Sequence, residues 1–194
     1  MIKLASLALA LGLATPAFAD APLSVDFEYP WAYGQEVADT YAASGISFTN
    51  VLGLSNDADF SYFGNAPSPL GVAFVQLDGV VNTAAYMNVA AGVSGGLRFF
   101  YSAPSDTPLA IKAYSGLNGT GTLLGTVDLV ANSADYTAWS QAVLSFGGTA
   151  RSFDLTGTAN VVALDNIAAV PEPSSVALLL AGGALLMAAR RRHG

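Results

Sequence analysis

Apolar positions in the body of this chain come in short runs separated by Gly, Pro, Asn, Asp and Ser, and no segment of helical period appears between Asp20 and Ala169. That pattern predicts strands. Ten are expected: Ser24–Tyr29, Ile46–Leu52, Gly71–Leu77, Ala85–Ala90, Leu97–Ser102, Leu109–Ser115, Leu123–Val130, Ala138–Phe146, Ala150–Leu155 and Val161–Ile167. In Leu109–Tyr114 the odd positions are apolar and Lys112 points the other way, as a strand with one buried face requires. From Trp139 to Phe146 the alternation slips once, which predicts either a bulge or a strand buried on both faces. The run Gly116-Leu117-Asn118-Gly119-Thr120-Gly121 is a turn between two strands. Asp39–Ser44 reads as a short helix or a loop. Short strands with tight turns argue an all-β fold, a jelly-roll β-sandwich.

Both ends break this pattern. Lys3, the apolar run Leu4–Ala14 and the small-x-small triplet Ala17-Phe18-Ala19 have the order of a signal peptide over residues 1–19. At the other end, residues 170–194 read VPEPSSVALLLAGGALLMAARRRHG. Pro171 and Pro173 fix their own φ and push the residues before them out of the helical region, so the triplet with Glu172 stays extended and readable by a processing enzyme. Val176–Ala189 is uncharged and rich in Leu and Ala. As a helix it would span about 21 Å, a marginal single transmembrane helix against a hydrocarbon core of roughly 30 Å. Arg190, Arg191 and Arg192 would hold its end in the cytoplasm. Gly182-Gly183 would either let helices approach closely or weaken this one.

This order of triplet, apolar run and arginines resembles the PEP-CTERM sorting signal of Gram-negative bacteria. The resemblance implies recognition by an exosortase, a membrane-embedded cysteine protease-transpeptidase, after export by way of signal peptidase. It implies passage through the inner membrane and delivery to the cell surface or extracellular matrix. Pro171, Glu172 and Pro173 would be the recognition triplet. Between the two signals, residues 20–169 form one domain. Its stretches FEYPWAYGQEVADTYAASGISFTN, LNGTGTLLGTVDL and LSFGGTARSFDLTGTANVVALDNI are similar to jelly-roll domains that precede such tails, and through them to carbohydrate-binding modules.

Composition narrows the chemistry. There is no cysteine, which excludes disulfides, thiol catalysis and cysteine-ligated metal, and the single histidine is His193 in the tail. A Ser-His-Asp triad and His-ligated zinc are therefore excluded from the domain. Between Asp20 and Ala169 three cations (Arg98, Lys112, Arg151) stand against 13 acids, a net charge of −10. Such a surface repels nucleic acid and attracts divalent cations.

Two constellations follow. Asp26 and Glu28 lie two apart on the first expected strand and Asp165 on the last; calcium takes six to eight such oxygens. In the carbohydrate-binding modules a structural calcium joins these regions, so the resemblance implies a site at Glu28 and Asp165, with Asp26 or Asn166 beside them. The alternative is that Asp165-Asn166 makes local side-chain to backbone bonds and Glu28 is solvated. Asn56-Asp57-Ala58-Asp59 resembles part of a calcium loop but lacks the glycine and distal glutamate, and reads as a turn.

Saccharides stack on aromatic rings, and three clusters lie in expected loops: Tyr29, Trp31 and Tyr33; Tyr62 and Phe63; Tyr136 and Trp139. Trp31, Tyr33 and Trp139 are the candidate ligand contacts. Buried anchors for the loops are the alternative. Paired carboxylates for glycoside hydrolysis are not marked out by any motif. The reading is an exported, non-enzymatic surface protein that associates with exopolysaccharide. Its alternatives are a structural matrix protein without a ligand and a small polysaccharide hydrolase or lyase.

Overall fold

The computed structural model describes residues 23–170 and, beyond them, Gly182 alone. The expected signal peptide, the Pro171-Glu172-Pro173 triplet, the apolar tail and Arg190 to Arg192 lie outside the described residues. Among those described, no helix is long and apolar enough to cross a membrane.

Among the described residues nine strands form: β1 Ser24–Val25, β2 Ile46–Thr49, β3 Val51–Leu54, β4 Val72–Val75, β5 Tyr86–Ser102, β6 Thr107–Tyr114, β7 Leu123–Leu129, β8 Ser140–Asp154 and β9 Ala163–Val170. Between residues 23 and 170, helix is limited to 3-10 turns at Ala42–Ser44 and Thr156–Thr158. Every strand pair is antiparallel, in the order β3-β4-β9-β5-β8-β6-β7, with β1 on β9 and β2 on β5. The chain is all-β.

Two expected strands are cut at residues with positive φ. The first strand stops at Val25, because Phe27 takes φ 58° and turns the chain away. Ile46–Leu52 divides at Asn50, φ 55°, a conformation Asn tolerates better than most residues. Asn50 Nδ2 donates to the Ala84 carbonyl (2.7 Å), which fixes the crossing from β2, paired with β5, to β3, paired with β4.

Elsewhere expected strands fuse. Ala85–Ala90 and Leu97–Ser102 are halves of the 17-residue β5, and Ala138–Phe146 and Ala150–Leu155 are halves of the 15-residue β8. The glycines between them looked like breaks, but they act as bulges. Gly92, Gly95 and Gly148 have φ of 84°, 86° and 80°, and the β5–β8 register shifts twice near them. Inward positions still keep one parity through β5: Met87, Val89, Val93, Leu97, Phe99 and Tyr101 are all buried.

The long strands therefore serve two groups of partners. Tyr86–Val89 of β5 faces β2 and the end of β8, which continues to β6 and β7. Gly96–Ser102 faces the start of β8 and β9, which continues to β4 and β3. Buried residues of both groups, Ile46, Met87, Ile111 and Phe153 with Val51, Leu97, Phe99, Leu144 and Ile167, belong to one apolar core. In β6 the expected face is corrected at its start: Leu109, at φ 51°, is half exposed, while Ala110 and Ile111 are buried.

A smaller apolar cluster, Phe63, Val72 and Ala163, is separate from this core. Leu54, Tyr62, Phe74, Tyr136 and Trp139 pack around it. Along β4 the side chains alternate between the two clusters, Val72 and Phe74 in the small one and Ala73 and Val75 in the large. Both faces of β3-β4-β9 are thus covered, one by the core and one by loops.

Candidate functional site

Loops 55–71 and 131–139 lie over the second face of β3, β4 and β9 and leave an open groove between them. Its volume is about 550 Å³, and Tyr33, Phe60, Tyr62, Phe63, Phe74 and Tyr136 line it. Ser61, Gln76, Asp135 and Asn160 supply its polar groups.

Local side-chain to backbone bonds set the aromatic rim. Asp57 Oδ1 accepts from the Asp59 and Phe60 amides (2.8 and 2.7 Å), and Asn56 Oδ1 from the Tyr62 amide (2.7 Å). Asn56 Nδ2 donates to the Phe63 carbonyl (2.8 Å). The stretch that resembled a calcium loop is thus a turn whose oxygens hold backbone amides. It places Phe60 and Tyr62 with ring centroids 4.8 Å apart, and Phe60 stays 60% exposed.

The facing loop is tied on by three bonds. Gly64 N donates to the Tyr136 carbonyl (3.0 Å), Trp139 Nε1 to the Gly64 carbonyl (2.9 Å), and Asn65 Nδ2 to the Thr137 carbonyl (3.1 Å). Tyr136 stands edge-on to Phe74 and its hydroxyl donates to the Val161 carbonyl (2.9 Å); burial raises its pKa. Asp135 Oδ1 accepts from Thr137 Oγ1 (2.6 Å) and Ser133 Oγ (3.1 Å). Those bonds, Thr137's first, hold its pKa below the ordinary aspartate value, so the groove keeps a fixed negative charge. Desolvation, then the charge of Asp57, raises the Tyr62 phenol.

The three sequence candidates for ligand contact separate here. Tyr33 is 89% exposed and lines the groove. Trp31 is 6% exposed and sits in the main core, its Nε1 donating to the Phe27 carbonyl (2.8 Å). A Cβ on Gly53 would overlap its indole, so the ring occupies a slot that only glycine leaves open. Trp139 is part of the small cluster and latches the two loops. Trp31 is therefore corrected from a ligand contact to an anchor, and Trp139, partly buried, does not line the groove.

Phe60, Phe74, Gln76, Asp135 and Asn160 were not singled out by sequence. The unbroken apolar run Val72–Val75 carried a usable signal, since a strand apolar on both faces needs cover on both.

The three candidate metal ligands each accept hydrogen bonds from protein donors. Asp165 is fully buried; it accepts from Ser68 N (2.9 Å), Ser68 Oγ (2.6 Å) and Asn166 N (2.7 Å). Burial first of all pushes its pKa up to about 6, the Ser68 and Asn166 bonds opposing it and nearby Glu28 adding to it. Glu28 Oε1 accepts from the Leu70 and Gly71 amides (2.8 and 3.1 Å). Asp26 Oδ1 accepts from Tyr41 Oη (3.2 Å) and Glu28 N (3.3 Å). Among the described residues no three His, Cys, Asp or Glu side chains come together to hold a metal ion. Asp165 and Glu28 clamp loop 68–71 to β9 and to the segment after β1, while Asp26 ties Tyr41 to that same segment.

Residues 169–192 match the PEP-CTERM protein-sorting motif. The motif implies processing by an exosortase and export to the cell envelope or surface. No curated protein matches the sequence. Among solved structures, the K2 cleaved adhesin domain of Lys-gingipain aligns with TM-score 0.48 at 14% identity over 78% of this chain and 100% of that one. The K1 cleaved adhesin domain of the same protein, from Porphyromonas gingivalis W83, aligns with TM-score 0.40 at 16% identity over 78% and 99%. An arabinose-bound α-L-arabinofuranosidase, MgGH51, aligns with TM-score 0.43 at 14% identity over 77% of this chain and 26% of that one. At such identities and scores the likeness speaks to neither ligand nor activity.

Proposed function

We propose that this protein is a non-enzymatic surface or matrix protein that binds extracellular polysaccharide in the groove over β3, β4 and β9, on a jelly-roll β-sandwich scaffold. One observation carries the reading. Aromatic residues from loops far apart in sequence, Tyr33, Phe60, Tyr62 and Tyr136, meet in one open groove beside amides and a carboxylate. Rings offer faces for sugar C–H groups, and Gln76, Asn160 and Asp135 offer partners for hydroxyls. Among the described residues Asp135 is the one carboxylate lining the aromatic groove itself. In this reading the sorting tail takes the protein through the inner membrane to the surface.

The structural-matrix reading draws on Trp31 and Trp139, which serve packing. Co-sedimentation of the full-length chain with the host exopolysaccharide separates the two. Saturable pelleting is expected, and Tyr33→Ala combined with Phe60→Ala should weaken it roughly tenfold while leaving Tm in place, since both rings are largely exposed. Pelleting that the double variant leaves intact would sink the groove. Run with calcium and with chelator, the same experiment tests the metal: chelation is expected to change neither pelleting nor Tm, because the acids are already satisfied by protein donors.

A further inference from the structure

The aromatic groove does not end at Gln76. A second, polar recess of about 270 Å³ adjoins it, and the two share Gly34, Leu52 and Gln76 in their walls. Beyond that shared wall the lining changes from rings to Glu36, Asn50, Asp78 and Asn82. Asp78 is fixed there: its Oδ1 accepts from the Val80, Val81 and Asn82 amides (2.8, 2.9 and 2.9 Å), which lowers its pKa. One long cleft results, aromatic at one end and acidic at the other.

The cations of the described residues are all elsewhere. Lys112 pairs with Asp154 (3.5 Å), Arg151 donates to the Ala90 carbonyl (2.6 Å), and Arg98 lies beside Ser24 and Gln141. None lines either part of the cleft.

Resting on the saccharide reading above, we infer that the cleft takes the interior of a linear polysaccharide without carboxylate or sulfate groups, and excludes uronate polymers. Hydroxyls can donate to Asp135, Asp78 and Glu36, and amides can meet either end of a hydroxyl. A uronate carboxylate entering the same place would face fixed like charges with none of the described cations beside it, at a cost that grows as salt is lowered. Continuity from the rings to the polar recess means that contacts accumulate along a chain of several sugars, so a terminal residue alone fills only part of the site.

Affinity electrophoresis of the full-length chain in mild detergent tests this, with neutral glucan, mannan and xylan against polygalacturonate and alginate, at low and high ionic strength. Retardation by at least one neutral polymer, at least about tenfold tighter than by any uronate at low salt, is expected. That gap should narrow at high salt. Neutral oligosaccharides should bind more tightly from mono- to hexasaccharide, and Asp135→Asn should narrow the neutral-to-uronate ratio. Equal or tighter uronate binding at low salt overturns the charge selection and leaves the saccharide site standing. Affinity that saturates with a monosaccharide overturns the extended cleft. No retardation by any polymer overturns this inference and the saccharide reading together.

Discussion

At neutral pH the Asp165 carboxylate carries a charge that its surroundings disfavour. Ser68 has one hydroxyl proton and two acceptors in reach, Asp165 Oδ1 (2.6 Å) and the Asp26 carbonyl (3.0 Å). Ionised Asp165 claims that proton. Protonated Asp165 donates to Ser68 instead, and Ser68 then serves Asp26. With a folded pKa of about 6 against an ordinary 3.8, the folded state holds a proton that the unfolded chain has released. Stability from this group is therefore present below the unfolded value and is lost as pH rises through about 6. Tm should fall from about pH 4.5 to about pH 7, and Asp165→Asn should flatten that slope. A slope unchanged in the variant would place the titration elsewhere. Trp31 carries the second residue-scale prediction. Gly53→Ala drives a methyl group into its indole and should cost about 1–3 kcal/mol in urea unfolding, with saccharide affinity changed little because that ring is in the core.

Among the elements, the groove loops owe their shape to polar side chains at their base. Asp57→Ala removes the acceptor for two amides. Faster hydrogen exchange at Asp59 and Phe60 is expected, by roughly 1 kcal/mol of local opening, together with weaker saccharide binding and a nearly unchanged Tm. Strand content was legible in the sequence, since alternation is local and every expected run except the end of the first overlaps a strand. Strand length was not. The stretches holding Gly92, Gly95 and Gly148 separate expected strands, because whether a glycine ends a strand or bulges it is decided by the partner strand, here β8 against β5. The site was legible only in part. Composition flagged the aromatic loops, but which ring faces solvent depends on what lies under it: Trp31 has Gly53 and Gly71 beneath it, and Tyr33 has nothing comparable.

For the whole molecule, the acids read as metal ligands are a similar case. Asp26, Glu28 and Asp165 do belong to one region, as their placement on the first and last strands suggested, but loop 68–71 fills the space between them with N–H and O–H donors. Nothing in the order of residues shows that loop arriving. The net charge was fully legible and acquires a location from the fold, because Asp135, Asp78 and Glu36 line the cleft while the cations of the described domain do not.

Strand β9 starts at the groove floor with Ala163 and ends at Val170, just inside the sorting motif that begins at residue 169. On the saccharide reading proposed above, a load applied to a bound polymer would reach the tail along this one strand of eight residues, about 26 Å long. Six Cα pairs join it to β5 on one side, with β4 and β1 on the other. Pulled lengthwise, those ladders are sheared together. Force between the domain's own ends acts differently: Ala169 N donates to the Leu23 carbonyl (3.0 Å), so both ends leave one corner and would unzip the two-pair β1–β9 contact bond by bond. Optical-tweezer pulling from a handle at Tyr33 to the C-terminus should therefore need several times the force of pulling from N- to C-terminus. Equal forces would mean that β9 does not carry the tension.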